Sequence, residues 1–184
     1  MFEKLLEYDR DLLIFLNNLG VENYDTFWRT VTQPVTWLPL YLLILVLIII
    51  AYKRRQLFKT LLLRIGLILT TSTLTHLVKI IIARTRPSGN DEFTELIRIL
   101  IEPGSYSFFS GHAANSFAAC TFFVLILKHR FKWIYAFYIW PILFSFSRIY
   151  VGVHYPSDIL IGALVGVLIA LAFNKIHKRW VLQL

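Results

Sequence analysis

Cysteine is almost absent from this chain, because Cys120 is the only one among its 184 residues. A single cysteine cannot form a disulfide within one chain and cannot build a multi-cysteine metal site. Since Cys120 lies inside an apolar run, we expect it to serve in packing. Charge is also scarce, at 16% of residues against 57% hydrophobic residues, and this balance excludes an ordinary soluble domain of this size.

A long uncharged stretch lies between Arg29 and Lys53 and is rich in Leu, Ile and Val. Its length meets the requirement of roughly 20 apolar residues for a helix that spans a bilayer. The N-terminus lacks a basic segment followed by an apolar run, because Met1–Arg10 contains three acidic residues. A cleavable signal peptide is therefore not expected.

These patterns predict an all-α, integral-membrane helical bundle that forms a single domain over residues 1–184, with its motif-bearing core at about 60–175. The five predicted spans are Pro34–Tyr52, Leu61–Ala83, His112–Leu127, Lys132–Ser147 and Ser157–Asn174. Flanking Lys and Arg side chains can snorkel and extend the shorter ones.

Two further helices are predicted outside these spans. Phe2–Leu19 has a leucine stripe typical of an amphipathic helix on the outer membrane surface, and a sixth span there would bury Asp9, Arg10 and Asp11. A short interfacial helix is predicted to begin at Asn90 or Asp91 and to end before Pro103, serving either as a lid or as a connector.

The charges indicate an orientation. Basic residues gather at 53–64, 128–132 and 175–179, and the positive-inside rule places that side in the cytoplasm. The acidic residues and three polar clusters fall on the opposite side. We therefore expect a cytoplasmic C-terminus and a site that faces away from the cytoplasm. Nucleic-acid binding is not expected, since the basic residues form no patch on a soluble domain.

The first polar cluster is K-I-I-I-A-R-T-R-P, from Lys79 to Pro87. Two helical turns would stack Lys79 and Arg86 on one face, and the residue before a proline favours a loop. A point charge and a planar fork of donors suit a phosphoryl group. Taken alone, both residues are better explained as snorkelling cations at the interface.

The second cluster is Ser110-Gly111-His112, directly before a predicted helix. Free backbone amides at a helix N-terminus bind anions, and the Ser110 hydroxyl adds a donor. His112 would lie at the mouth of that site, where it can give a proton to a leaving oxygen. The alternative interpretation is simple helix capping.

The third cluster contains Arg148, His154 and Asp158. Asp158 follows His154 by four residues and can accept a hydrogen bond from one imidazole nitrogen, which leaves the other nitrogen free as a nucleophile. A hydrogen bond at a helix start is the alternative. Ionisable groups at such depth in a membrane protein favour a functional site.

In order, the clusters read K-x6-R-P, S-G-H and S-R-x5-H-x3-D, and this pattern resembles the type 2 phosphatidic acid phosphatase family. The resemblance implies that His154 attacks phosphorus, that His112 acts as general acid and base, and that Asp158 orients His154. It implies phosphate binding by a set of five residues: Lys79, Arg86, Arg148, Ser110 and Gly111. It implies neither a metal nor another cofactor.

The implied activity is dephosphorylation of a membrane lipid phosphate or pyrophosphate in a bacterial inner membrane, with no need for an oligomer. Candidate substrates are undecaprenyl pyrophosphate, phosphatidylglycerol phosphate, phosphatidic acid and lipid A phosphate. Phosphate transfer to a second lipid and a non-enzymatic transporter or scaffold are the alternatives. The chain departs from the family where Phe109 replaces the usual proline, so loop geometry or lipid contact there is in doubt.

Five other positions bear on the packing or on the site. His76 is expected to be buried rather than catalytic. Arg84 either assists phosphate binding or snorkels. Gly162 and Gly166, with Ala170, form a row of small residues that favours close helix packing within the bundle over a dimer interface.

Overall fold

The computed structural model describes residues 2–89, 94–102 and 104–183, and for Phe2 only the backbone. Within these residues the regular structure is helical, and no strand is present. The α-helices are α1 (Phe2–Asn18), α2 (Asp25–Val31), α3 (Leu38–Ala51), α4 (Arg54–Ile82), α5 (Gly111–Leu127), α6 (Ile139–Tyr150) and α7 (Pro156–His177). Short 3-10 helices cover Glu22–Tyr24, Pro34–Trp37, Pro87–Gly89, Thr94–Leu96 and Lys132–Tyr138, and a π-helical turn covers Lys178–Leu182.

Three helical stretches are long and apolar enough to cross a membrane, namely Pro34–Ala51, Arg54–Gly89 and Pro156–Leu182. Helix α5 is a shorter apolar helix. Together they form the predicted all-α membrane bundle. Large apolar side chains such as Leu42, Ile81 and Leu160 are more than half exposed, as lipid-facing positions would be.

Helix α5 is the centre of the bundle and packs against α4, α6 and α7. Its contact with α7 is close because Gly162 and Gly166 present no side chain. A Cβ atom at Gly166 would lie 2.3 Å from the Ala114 carbonyl oxygen, and one at Gly162 would lie 2.7 Å from the Ser110 carbonyl oxygen. The predicted small-residue row thus packs inside the bundle, and it holds the start of α5 beside the start of α7.

Two predicted spans differ from the observed helices. Helix α4 begins at Arg54 rather than at Leu61, because Arg54 and Arg55 are exposed on a helix that projects beyond the apolar region. The fourth predicted span, Lys132–Ser147, is divided into a 3-10 segment to Tyr138 and α6 from Ile139.

The predicted helix between Asn90 and Pro103 is wrong over its described part. Only Thr94–Leu96 form one 3-10 turn, and residues 97–102 are not helical. Tertiary hydrogen bonds replace helical ones there, since Leu100 N donates to Val151 O at 3.2 Å and Arg98 N donates to Asn17 Oδ1 at 2.6 Å. The predicted start of this helix, at residues 90–91, lies outside the described residues, and so does that part of the predicted lid.

Helix α1 matches the predicted amphipathic segment, but it is anchored to the bundle as well as exposed. Leu13 and Asn17 are fully buried, while Leu5 and Leu19 are each 60% exposed. Asn17 Nδ2 donates to three carbonyl oxygens, those of Arg98, Ile149 and Tyr150, at 2.9 to 3.1 Å. These bonds tie α1 to the end of α6.

Candidate active site

The three polar clusters meet at one end of the bundle. The loop after α4 carries Arg84 and Arg86, the start of α5 carries His112, and the loop between α6 and α7 carries His154. That last loop turns at Gly152, where φ is +77° and an added Cβ would lie 2.6 Å from the Arg98 carbonyl oxygen. A glycine is required there because side chains disfavour this conformation.

His154 and Asp158 form a buried pair. Nδ1 of His154 lies 3.2 Å from Oδ2 of Asp158, and the two side chains are 2% and 0% exposed. The same carboxylate oxygen accepts a hydrogen bond from Tyr155 N at 3.0 Å, which fixes it at the first turn of α7. Donation from Nδ1 to the carboxylate leaves the lone pair on Nε2.

The second nitrogen of His154 contacts a cation, because Nη1 of Arg86 donates a hydrogen bond to Nε2 at 3.3 Å. Burial lowers the pKa of His154 to about 3, and Arg86 and Arg148 act in the same direction against the opposing effect of Asp158. The imidazole is therefore neutral at physiological pH, the state that a nitrogen nucleophile requires.

Arg86 is held by its neighbours. Its Nη1 donates to Val153 O at 2.8 Å and its Nη2 donates to Ser105 Oγ at 3.1 Å. Lys79 is oriented in a similar way, since its Nζ donates to Ser107 O at 3.0 Å and also to Tyr106 O. Both cations line one pocket of about 730 Å³.

Arg148 is buried, and the hydrogen-bonding capacity of its guanidinium is only partly satisfied. Its Nη1 donates to Thr32 Oγ1 at 2.6 Å, whereas its Nε has no hydrogen-bond partner within the described ranges. The charges of Lys79, Arg86 and Arg148 all act on the His112 imidazole, so these predicted site residues share one electrostatic neighbourhood.

The Ser110-Gly111-His112 segment begins α5, as predicted. Ser110 is fully buried, and its Oγ accepts from Ala113 N at 3.4 Å as the helix N-cap, which was the alternative interpretation. The His112 ring lies 4.9 Å from the Phe144 ring. Gly111 and His112 line a second cavity, of about 540 Å³, which extends into the bundle.

Three expectations about other residues need correction. His76 is exposed and lines the 730 Å³ pocket instead of packing in the core. Arg84 neither snorkels nor reaches toward Lys79 and Arg86, since it forms ion pairs with Asp9 and Asp158. Phe109 is 3% exposed and packs edge-on against Phe108, so it makes no broad contact with lipid.

Two further residues, Ser107 and Asp9, belong to the site although no sequence motif includes them. Ser107 Oγ donates to Asp158 Oδ2 and lies 3.4 Å from His154 Nδ1. Asp9 accepts hydrogen bonds from Arg84 and from the start of α7. In the sequence, only its acidic side chain on α1 distinguishes Asp9. Nothing in the sequence marks Ser107 as a residue of the site.

No group of three or more His, Cys, Asp or Glu side chains that could hold a metal ion occurs in the described part of the chain. The chemistry of the pocket is instead that of a cationic cradle beside two histidines. Such a cradle supplies the charge that stabilises a reacting phosphoryl group.

The model of the PAP2 superfamily matches residues 59–182, which contain all three motifs. The chain belongs to the PAP2 superfamily. It is 30% identical to the lipid A 4′-phosphatase of Bacteroides thetaiotaomicron, over 90% of this chain and 75% of that protein. It is also 30% identical to the undecaprenyl-diphosphatase of Sulfolobus acidocaldarius, over 89% of this chain and 70% of that protein.

The fold of this superfamily member also matches a solved structure. The PAP2-type phosphatidylglycerolphosphate phosphatase from Bacillus subtilis superimposes with a TM-score of 0.76 at 21% identity, over 96% of this chain and 88% of the other. At this identity the likeness concerns the fold. The all-α membrane architecture predicted from hydropathy is thereby confirmed.

Proposed function

We propose that this PAP2 protein is a metal-independent lipid phosphatase that works through a phosphohistidine on His154. Lipid phosphate hydrolysis is the activity of its named relatives in Bacteroides and Sulfolobus. The single observation that carries the mechanism is the buried His154–Asp158 pair at 3.2 Å, whose Nε2 carries the lone pair and accepts from Arg86. An oriented, neutral imidazole beside cations is arranged for attack on phosphorus.

In the first step the lone pair of His154 Nε2 forms a bond to phosphorus, and the bond from phosphorus to the lipid oxygen breaks. His112, which takes up a proton when the phosphate dianion binds beside it, gives that proton to the lipid oxygen, so that the lipid leaves as an alcohol or a shorter phosphate. Asp158 stabilises the positive imidazole ring. Lys79, Arg86 and the unpartnered Nε of Arg148 bind the phosphoryl oxygens.

In the second step His112, now neutral, removes a proton from water, and the water oxygen bonds to phosphorus. The bond from phosphorus to His154 breaks, inorganic phosphate is released, and both histidines return to their first state. Gly111 contributes its backbone amide at the start of α5. Ser110 supports it as the helix cap.

The substrate is a lipid phosphate or pyrophosphate that reaches the site from the bilayer, with the pocket on the outer face and the C-terminus in the cytoplasm. The positive-inside distribution of Lys and Arg supports this orientation. A bacterial inner membrane is the proposed location. Transfer of the phosphoryl group to a second lipid remains the alternative reaction, because the same phosphohistidine would serve it.

The mechanism is tested by phosphate release from lipid phosphates in detergent, with and without EDTA. His154→Ala is expected to abolish release and to abolish alkali-stable labelling of the protein from a 32P-labelled lipid. His129→Ala is the matched control, because His129 is exposed in the turn after α5. Full activity in His154→Ala, or loss of wild-type activity in EDTA, would contradict the proposal.

A further inference from the structure

A cavity of about 540 Å³ lies beside His112 and extends between α3, α4, α5 and α6. His112 and Ala119 both line it, and seven residues of helix correspond to about 10 Å. Ile68 and Ser72 at its rim are exposed. The cavity therefore runs from the proposed catalytic histidine along the bundle, with an opening on the lipid-facing surface of α4.

Two residues that line this cavity each have a buried donor atom with no acceptor. These atoms are Nη1 of Arg64 and Nε1 of Trp140, and neither has a partner in the part of the chain that the structure describes. Arg64 was counted among the cytoplasmic cations, but it lies ten residues inside α4, and its Cζ is 5.1 Å from the Phe123 ring centroid. An arginine at such depth is costly, and by default it indicates a functional site.

The other polar side chains of the cavity do not supply the missing acceptor. Ser72 Oγ donates to Asn115 Oδ1 at 3.2 Å, and Asn115 Nδ2 donates to Gly111 O at 3.0 Å, so these groups satisfy one another. None of the ion pairs in the described residues involves Arg64. Unpaired buried donors are rare, because leaving one unsatisfied costs stability.

The proposed reaction indicates which part of the substrate occupies this cavity. His112 protonates the leaving oxygen, and the leaving group is the lipid itself, so the lipid body must lie on the side that His112 faces. An acylated lipid has ester or amide carbonyl oxygens between its phosphate and its tails, and these oxygens can accept hydrogen bonds. A polyprenyl chain has none, and it would leave both donors unpaired.

We propose that this cavity binds the body of an acylated lipid phosphate, with Arg64 and Trp140 donating hydrogen bonds to its carbonyl oxygens. The inference rests on the proposed function and narrows its substrate class to lipids with acyl esters or amides. Arg64 and Trp140 thus act as specificity residues that do not touch the reacting phosphorus.

The test compares two substrates that differ only in the carbonyls, diacyl phosphatidic acid and its dialkyl ether analogue. One hydrogen bond from a charged donor corresponds to about tenfold in affinity. We expect the wild type to prefer the ester by about that factor in kcat/KM. Arg64→Met should reduce the ester-to-ether ratio toward one, and Trp140→Phe should reduce it by a smaller factor.

Arg55→Met is the control, since Arg55 is exposed on the same helix, and it should keep the wild-type ratio. Thermal unfolding in detergent should show Arg64→Met at least as stable as the wild type, because an unpaired buried charge is removed. An ester-to-ether ratio that is the same in wild type and Arg64→Met would overturn the inference.

A third substrate, a polyprenyl diphosphate, separates this inference from the proposed function. Hydrolysis of the polyprenyl diphosphate with no hydrolysis of the diacyl phosphate overturns the acyl-binding cavity and leaves the phosphatase standing. Failure to release phosphate from any of the three lipids overturns the proposed function as well. An ester preference that is lost in Arg64→Met supports both the acyl-binding cavity and the proposed phosphatase function.

Discussion

Arg84 bridges two carboxylates, donating to Asp158 Oδ1 at 2.7 Å and to Asp9 Oδ2 at 2.8 Å. Asp9 in turn accepts from Ser157 N at 2.8 Å at the start of α7. The N-terminal helix is thereby connected to the carboxylate that holds His154. Because a partly buried network of this kind fixes the position of each member, Arg84 acts on His154 through Asp158.

We predict that Arg84→Gln lowers kcat by about 10- to 100-fold, the value of one hydrogen bond to a charged group. Loss of the cation leaves more of the Asp158 charge to act on His154, which raises the pKa of His154. The acid limb of the kcat/KM profile should therefore move to higher pH. Rates measured between pH 3 and pH 8 in detergent check this.

Arg84→Lys should recover part of the rate, since it keeps the charge but loses the fork of donors that reaches both carboxylates. Arg55→Gln, at the exposed beginning of α4, should behave as wild type. An unchanged pH profile in Arg84→Gln, with a rate loss matched by lower stability, would mean that Arg84 serves only in folding.

Asn17 is expected to be the main anchor of α1. It is fully buried, donates to three carbonyl oxygens and accepts from Arg98 N. Asn17→Ala leaves several of these backbone groups unsatisfied, so we predict a loss of about 2–4 kcal/mol in the free energy of unfolding. Thermal unfolding in detergent measures it.

The neighbouring residue gives the control. Asn18 is exposed and its Nδ2 makes one bond, to Leu96 O at 3.0 Å, so Asn18→Ala should cost less than about 1 kcal/mol. Equal losses in the two variants would contradict the anchoring role of Asn17.

Hydropathy and charge were sufficient to predict the membrane fold, because both patterns extend over many residues. Three long apolar helices and α5 lie where the apolar runs predicted them. The 3-10 start of the fourth predicted span, at Lys132–Tyr138, was not predictable, since 3-10 and α-helix share the same composition. Residues 97–102 also gave no signal, because their hydrogen bonds go to Asn17 and Val151, which are distant in sequence.

The motifs predicted the contact between His154 and Asp158, because Asp158 follows His154 by four residues at the start of α7. They did not predict the supports from other elements. Asp9 and Ser107 reach Asp158 and its partners across sequence separations that no local pattern encodes. The burial of Arg64 was not predictable either, because a cation near a basic loop resembles a topology signal, whereas its burial depends on how α4 packs.

Close packing of α7 on α5 should depend on Gly166. A Cβ there would lie 2.3 Å from Ala114 O, a backbone atom that cannot move aside cheaply. We predict that Gly166→Ala destabilises the protein by about 1–3 kcal/mol, although alanine favours helix by up to about 1 kcal/mol over glycine. Gly104→Ala is the control, because nothing lies within 4 Å of an added Cβ at that position.

Activity should decline in Gly166→Ala together with stability, since Gly166 and Gly162 belong to the same α5–α7 interface and Gly162 lies against Ser110. The measurement is phosphate release at a temperature below both melting points. A variant as stable as the wild type would mean that α5 and α7 can separate by several tenths of an ångström without cost.

Stability at low pH should depend on Asp25 in α2. Both of its carboxylate oxygens accept from Arg98 Nη2 at 2.6 Å, and Oδ1 accepts from Tyr150 at 2.9 Å. Although burial opposes the shift, these hydrogen bonds hold the pKa of Asp25 below its ordinary value. A carboxyl group whose pKa is lowered by folding stabilises the native state above its unfolded pKa of about 3.9.

That contribution is lost as pH falls below about 4 and through the folded pKa, because the unfolded chain then binds the proton more readily. We predict that the melting temperature of Asp25→Asn falls less steeply between pH 5 and pH 3 than that of the wild type. Glu22→Gln, an exposed neighbour, should keep the wild-type slope. Identical slopes for wild type and Asp25→Asn would mean that the carboxylate is not stabilised by Arg98 in solution.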